Sequence, residues 1–158
     1  MTATVAFADH SAAGPHGSIV EARSRYRKVF GATWYDDRIA ALVTRNDHIR
    51  AVIVPELLGV AVLASLGPRS GPVISVGGPD RCVWTFLTEC PGTPPEESRT
   101  RSLALFTRFV IQAGPGALLA LPTPGNPRRQ WVCEPRAAEL PAFDLVADAV
   151  VAAATPPR

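Results

Sequence analysis

The chain has 158 residues, of which 47% are hydrophobic and 19% charged, so length and composition predict one folded domain and exclude an intrinsically disordered chain. The formal net charge is only +2, which limits non-specific attraction to nucleic acid. Lys28 is the only lysine among 16 basic residues; arginine suits bidentate contacts with phosphate or carboxylate, although a GC-rich genome would also favour arginine codons.

The first 17 residues are small, polar and glycine-rich, and we interpret them as a flexible lead. They lack a basic region followed by an unbroken apolar run, so they do not resemble a signal peptide and we expect a cytoplasmic protein. The next segment, 18–30, predicts a helix. Ser18 and Glu21 have the spacing of a capping box, and Gly31 supplies a stop.

Two β-rich runs follow, 39–44 and 49–54, and their short Arg-Asn-Asp separation predicts a hairpin. Pro55 then opens a helix that ends at Gly67-Pro68. This helix is apolar nearly all round. We therefore expect both a sheet and a further segment to cover it.

The second half of the chain predicts a second hairpin and then a mixture of helix and strand. The hairpin joins 72–76 to 82–89 through a Gly-Gly-Pro-Asp-Arg turn. The remaining predicted elements are a loop at 91–98, a helix passing into a strand over 99–109, strands at 117–122 and 129–134 around a proline-rich loop, and a closing helix at 143–154. The tail 155–158 is expected to fray.

These elements predict a single α+β domain over 18–154, with helices packed on a largely antiparallel sheet of five or six strands. No internal repeat and no clear linker divides the chain. The longest uncharged segment, 109–127, is interrupted by Gln112, glycines and prolines, so we expect no membrane span.

Common catalytic and cofactor signatures are missing from the sequence. There is no Walker-type phosphate loop, no GxSxG and no HExxH. Cys82, Cys90 and Cys133 are odd in number and contain no CxxC pair, which argues against a disulfide framework or a zinc site. No catalytic residue, metal site or cofactor is therefore predicted.

Four short motifs lie in a recognisable order within about residues 38–136. They are VIVP at 52–55 running into ELLG, GG at 77–78 running into VWTF at 83–86, LALPTPG at 119–125, and RRQWVCEP at 128–135. Together they resemble the N-terminal domain of bifunctional DNA primase/polymerases, in the short, degenerate form met in actinobacteria. The resemblance implies a primase/polymerase palm, similar to an RNA-recognition-motif fold.

In active members of that family, two aspartates before the proline hold magnesium ions for nucleotidyl transfer, and a histidine follows the Gly-Gly turn. Val52 and Val54 occupy the aspartate positions here, and Val83 matches the histidine. Valine offers a cation no lone pair, so the resemblance implies a protein that is not an enzyme, with this corner packed as core. A shifted alignment would offer Asp47 or Arg50, and neither restores two acids.

Two classes of function follow from this interpretation. The first is a non-catalytic module that binds single-stranded nucleic acid or a nucleotide. Its candidate phosphate contacts are Arg81, Arg99, Arg101, Arg108, Arg128 and Arg129, and its candidate base-stacking side chains are Trp131 and Trp84. The alternative is a regulatory adaptor that binds a protein through the proline-rich loops 91–95 and 122–127. The alternative interpretation of each residue is a structural role, because such arginines often face solvent and tryptophans in strands are often core.

Overall fold

The computed structural model describes residues 18–78, 80–90, 95–136 and 140–155, so the predicted lead and the last three residues lie outside the described residues. Within them the helices are α1 (Ile19–Phe30), α2 (Glu56–Leu66), α3 (Pro95–Phe106) and α4 (Phe143–Ala153), with a 3-10 turn at Gly67–Ser70. The strands are β1 (Thr33–Asp36), β2 (Ala41–Arg45), β3 (Ile49–Pro55), β4 (Val73–Gly78), β5 (Arg81–Glu89), β6 (Ile111–Ala113), β7 (Leu118–Leu121) and β8 (Arg129–Cys133).

The strands form two antiparallel sheets. The larger has five strands in the order β6-β3-β5-β4-β8, and the smaller has three in the order β1-β2-β7. The predicted α+β class and antiparallel pairing are confirmed. The five-stranded sheet matches the expected size, and the second sheet adds three strands to it.

The five-stranded sheet lies between two apolar layers. Val52 and Val54 of β3 face a core built with α2, α3 and α4. Ile49 and Ala51, on the other face of the same strand, join a core built with α1, β2 and β7. Because successive side chains of a strand point to opposite faces of the sheet, β3 contributes apolar residues to both cores.

The predicted hairpin between 39–44 and 49–54 is wrong. Strand β2 pairs with β1 and β7, whereas β3 pairs with β5 and β6, so both edges of each strand are already occupied. Asn46 redirects the chain between the sheets. Its side-chain oxygen accepts a hydrogen bond from the His48 amide (2.8 Å), and its side-chain nitrogen donates to the Phe30 carbonyl (3.1 Å).

Several elements form where the sequence predicted them. The Ser18 hydroxyl accepts from the Glu21 amide (3.2 Å) while the Glu21 carboxylate accepts from the Ser18 amide (2.8 Å), which completes the capping box of α1. The second hairpin is confirmed, with Gly78 paired to Arg81. Strands β7 and β8 and helix α4 also match their predictions.

Helix α3 begins earlier than predicted, so the expected loop is wrong for 95–98. The helix starts at Pro95 and carries Glu96 and Glu97 in its first turn. Proline fits the first helical position, and the two acids favour the positive end of the helix dipole. None of the described helices has the length and apolar character needed to cross a membrane.

The prediction that a sheet and a further segment cover α2 is confirmed, because the helix contacts β3 and β5 of the sheet and also α4, but one side of the helix stays exposed. Its inner face, with Gly59, Val62 and Leu66, is buried, whereas Leu57 on the outer face is 87% exposed. The inner contact is close. A Cβ added at Gly59 would lie 2.8 Å from the Trp84 ring, so glycine allows the helix backbone to rest on the indole.

Replacing Gly59 with valine is expected to lower the free energy of unfolding by about 1–3 kcal/mol, because the added atoms overlap the Trp84 ring. Chemical denaturation monitored by circular dichroism measures the loss. Ser65→Val is the matched control, since Ser65 is exposed on the same helix and its substitution should change stability by less than about 0.5 kcal/mol. Equal losses in both variants would contradict the Gly59–Trp84 contact.

Candidate anion-binding groove

A groove of about 1200 Å³ lies where the turn between β1 and β2, the end of β4 and the loop before β8 meet. We call it the arginine groove. Its lining residues are Tyr35, Arg38, Ile39 and Ala40 on one wall, Val76, Gly77 and Gly78 along the floor, and Pro124, Gly125, Asn126, Pro127, Arg128 and Arg129 on the other wall.

The first wall is the β1–β2 turn, and the predicted strand 39–44 begins two residues later than expected, at Ala41. Strand β1 pairs along its whole length with β2, and the Arg38 amide donates to the Asp36 carboxylate (2.9 Å) to form the turn. Ala40 has a φ of 48°, an uncommon conformation for a residue with a side chain. The signal in the sequence was the run Thr33-Trp34-Tyr35, three β-favouring residues followed by two aspartates.

The second wall and the two residues before it are fixed by side-chain hydrogen bonds. The Thr123 hydroxyl accepts from the Leu42 amide (2.7 Å) and donates to the Leu121 carbonyl (2.9 Å). The Asn126 side-chain oxygen accepts from the Arg128 amide (3.1 Å), and its side-chain nitrogen donates to the Ala40 carbonyl (3.1 Å). Asn126 therefore joins the two walls and shapes the backbone that presents Arg128.

The floor depends on a close approach that only glycine permits. Gly77 has a φ of 147°, and a Cβ there would lie 2.0 Å from the Arg81 carbonyl oxygen. Its amide donates to the Arg128 carbonyl (3.0 Å), so the β4–β5 hairpin is tied to the second wall. Arg81 lies at the hairpin tip, paired with Gly78, beside the groove and outside its lining.

The charged side chains of the lining are all arginines. Arg38, Arg128 and Arg129 line the groove, and among the described residues its lining includes no aspartate, glutamate or histidine. Arg38 and Arg128 are exposed and Arg129 is half-buried, so their guanidinium groups are within reach of a ligand from solvent. Tyr35, which is 37% exposed, adds an aromatic side chain to the same wall. Guanidinium groups favour an anion such as phosphate, and the nearby Asp36 carboxylate is already engaged by the Arg38 amide.

The predicted phosphate contacts on α3 lie elsewhere. Helix α3 contacts β6, which is the edge of the five-stranded sheet opposite β8, about 19 Å away at the usual strand spacing. Arg99 is exposed there. Arg101 pairs with Asp144 (3.4 Å), Asp148 (3.4 Å) and Glu97 (3.9 Å), and so joins α3 to α4.

Arg108 lies two residues beyond the end of α3 and is also engaged within the protein. Its guanidinium donates to the Ala104 carbonyl (2.7 Å) and to the Thr107 hydroxyl (3.4 Å). A cation at this position stabilises the carbonyl end of the helix. Of the predicted arginines, the structure therefore places Arg128 and Arg129 in the groove and Arg81 beside it.

The two tryptophans predicted as stacking surfaces are engaged within the protein. Trp84 is 9% exposed and packs under Gly59. Trp131 is half-buried beneath α1, with its ring stacked on Phe30 (centroids 6.2 Å apart) and its Nε1 donating to the Tyr26 hydroxyl (2.9 Å). The aromatic side chain that reaches the groove is Tyr35.

The three valines discussed above do not converge on one surface. Val52 and Val54 are fully buried against the helices, whereas Val83 pairs with Pro55 and Val76 on the opposite face of the sheet and is partly exposed. Val52 and Val54 are packed as core, as expected, whereas Val83 is not. Among the described residues, no group of three or more His, Cys, Asp or Glu side chains is arranged to hold a metal ion.

Comparisons with family models, with curated proteins and with solved structures find no match to this chain.

Tyr26→Phe is expected to destabilise the protein by about 1–3 kcal/mol, because the hydroxyl makes two hydrogen bonds and both of its partners would be left without one. The Tyr26 hydroxyl donates to the Pro122 carbonyl (2.7 Å) just before the second wall and accepts from Trp131. Thermal or chemical unfolding measures the loss. Tyr35→Phe, at the chain's other tyrosine, is the control and should leave stability nearly unchanged.

The same pair of variants gives a pH test. Burial raises the pKa of the Tyr26 hydroxyl above its ordinary value of 10.0. The stability that this shift represents is present below pH 10 and is lost as pH rises through the folded-state pKa. Wild type should therefore lose more stability than Tyr26→Phe above pH 10, and parallel curves for the two proteins would contradict this assignment.

Proposed function

We propose that the protein is a non-catalytic module that binds single-stranded nucleic acid, with the arginine groove as its binding surface. The observation that carries the proposal is the composition of the groove: Arg38, Arg128 and Arg129 lie there with Tyr35, and none of the lining residues that the structure describes is a carboxylate. The arginines bind backbone phosphates, and the tyrosine ring stacks on a base.

The form of the groove supports a strand rather than a single small ligand. It is open to solvent and has a volume of about 1200 Å³, more than one nucleotide requires. Its lining carries three guanidinium groups, which suits a ligand with more than one phosphate. A nucleotide alone would use part of this surface.

The resemblance to degenerate primase/polymerase domains adds support. Three of the four motifs that carry the resemblance contribute lining residues, namely Gly77 and Gly78, Pro124 and Gly125, and Arg128 and Arg129. The fourth motif contains Val52 and Val54, where the family would need carboxylates. Binding without metal-dependent chemistry fits both features.

A second candidate function is a regulatory adaptor that binds a protein. It is favoured by exposed apolar side chains on and after α3: Leu103, Phe106, Phe109 and Ile111. Exposed aromatic side chains are frequent at protein interfaces. The salt dependence of single-strand binding separates the two functions, because an apolar interface would not follow counterion release.

Arg128→Ala combined with Arg129→Ala should weaken binding of a labelled single strand of about 12 nucleotides. The loss should be similar for different sequences, and the slope of log affinity against log salt should fall by about 1.4, or 0.7 for each lost phosphate contact. Fluorescence anisotropy over a salt series measures both quantities.

The matched control for this pair is Arg27→Ala with Arg99→Ala, which removes the same charge from exposed positions on α1 and α3. It should leave the salt slope nearly unchanged. A wild-type Kd weaker than about 10⁻⁴ M at physiological salt would overturn the proposed function. An equal loss in the control pair would remove the groove as the binding surface.

Tyr35→Ala should weaken single-strand binding by about 5- to 150-fold while leaving the salt slope unchanged, because stacking contributes about 1–3 kcal/mol for each base. Tyr35→Phe keeps the ring and should retain most of the affinity. Trp34→Ala is the matched control. Trp34 is also 37% exposed, and alternation along β1 directs it to the other face. A loss for Trp34→Ala equal to that for Tyr35→Ala would rule out Tyr35 as the stacking residue.

A further inference from the structure

The outer face of α2 is an apolar stripe exposed to solvent. Leu57, Val60, Ala61 and Ala64 are all exposed and are spaced i, i+3, i+4 and i+7, which places them on one side of the helix. Leu57 is 87% and Val60 47% exposed. The side opposite them, around Val62, is the one buried in the core.

No charged side chain interrupts this stripe. Glu56, the first residue, is the only charged residue of α2, and Arg69 lies just beyond the other end in the 3-10 turn. A surface helix normally carries charged residues on its outer face. An uncharged outer face with one acid and one base at its two ends is therefore a surface suited to association.

We propose that this stripe is the interface of a two-fold symmetric dimer, in which α2 of a second copy of this chain lies antiparallel across it. Two-fold contacts use the same patch on both copies, so the patch must be complementary to itself. The stripe meets that condition in both shape and charge.

Shape complementarity favours the antiparallel orientation. A two-fold axis through the middle of the stripe places Leu57 against Ala64 of the second copy and Val60 against Ala61. Each large side chain then meets a small one, which lets the helices approach closely without voids. A parallel pair would instead place Leu57 against Leu57 and leave a gap between the alanines.

Charge complementarity favours the same orientation. In an antiparallel pair, the end of one helix that carries Glu56 lies beside the end of the other that carries Arg69. The helix dipoles also oppose each other favourably. A parallel pair would bring like charges together. Exposed ion pairs contribute little free energy, so these charges set the orientation more than the affinity.

The size of the stripe predicts a weak dimer. Four side chains from each copy bury less than the roughly 800 Å² per partner of a standard stable interface. A dissociation constant between about 10 µM and 1 mM is therefore expected. Such a dimer forms in concentrated solution and dissociates on dilution.

Sedimentation equilibrium of the full chain, from about 10 µM to 1 mM and without nucleic acid, tests the proposal. Wild type should shift from monomer towards dimer. Leu57→Asp should remain monomeric at every concentration, and circular dichroism should show that it stays folded, because Leu57 makes little contact within the protomer. Phe106→Asp, in the other exposed apolar patch, is the matched control and should dimerise like wild type.

Charge reversal tests the orientation. Glu56→Arg and Arg69→Glu should each weaken dimerisation, and the double variant should restore it towards the wild-type constant. A wild-type protein that stays monomeric at about 1 mM would overturn the proposal. So would a dimer that Phe106→Asp abolishes and Leu57→Asp does not, or a double reversal weaker than both single variants.

Discussion

The burial of β3 on both faces is the constraint on which the rest of the structure depends. A strand with neighbours on both edges has its backbone groups satisfied, but its side chains point alternately to two sides and each side needs an apolar layer. Val52 and Val54 require the helices α2, α3 and α4, whereas Ile49 and Ala51 require α1 and the second sheet. The three-layer arrangement therefore follows from the pattern of one seven-residue strand.

The arginine groove is a consequence of joining two sheets that share no strand. The sheets meet through loops whose polar backbone groups need partners, and Thr123 and Asn126 supply them. Because these hydrogen bonds hold the backbone at Arg128, that backbone would lose little further conformational freedom if a ligand bound there. The network that completes the fold is thus also the one that prepares the candidate site.

Local signals in the sequence predicted local structure, and long-range pairing decided the rest. The capping box at Ser18 and the Gly-Gly hairpin depend on residues a few positions apart, so the sequence predicts them directly. Which sheet β2 joins depends on its pairing with the distant β7, which no local pattern carries. The residues of the candidate site fall into the same two groups, those that local sequence predicts and those that long-range pairing brings in. Arg128 and Arg129 were predicted, whereas Arg38 enters the groove only because β1 pairs with β2.

Screening by salt limits the affinity that an open groove lined by three arginines can provide. Charges near bulk water are screened within about 10 Å at moderate salt, so under the proposed function one groove would supply only modest, salt-sensitive affinity. A dimer through α2 would carry two such grooves related by a two-fold axis. A strand long enough to reach both would bind the second at a millimolar effective concentration, which raises the overall affinity without any new contact. Weak dimerisation and weak groove binding would then reinforce each other, because each bridging strand also holds the two copies together.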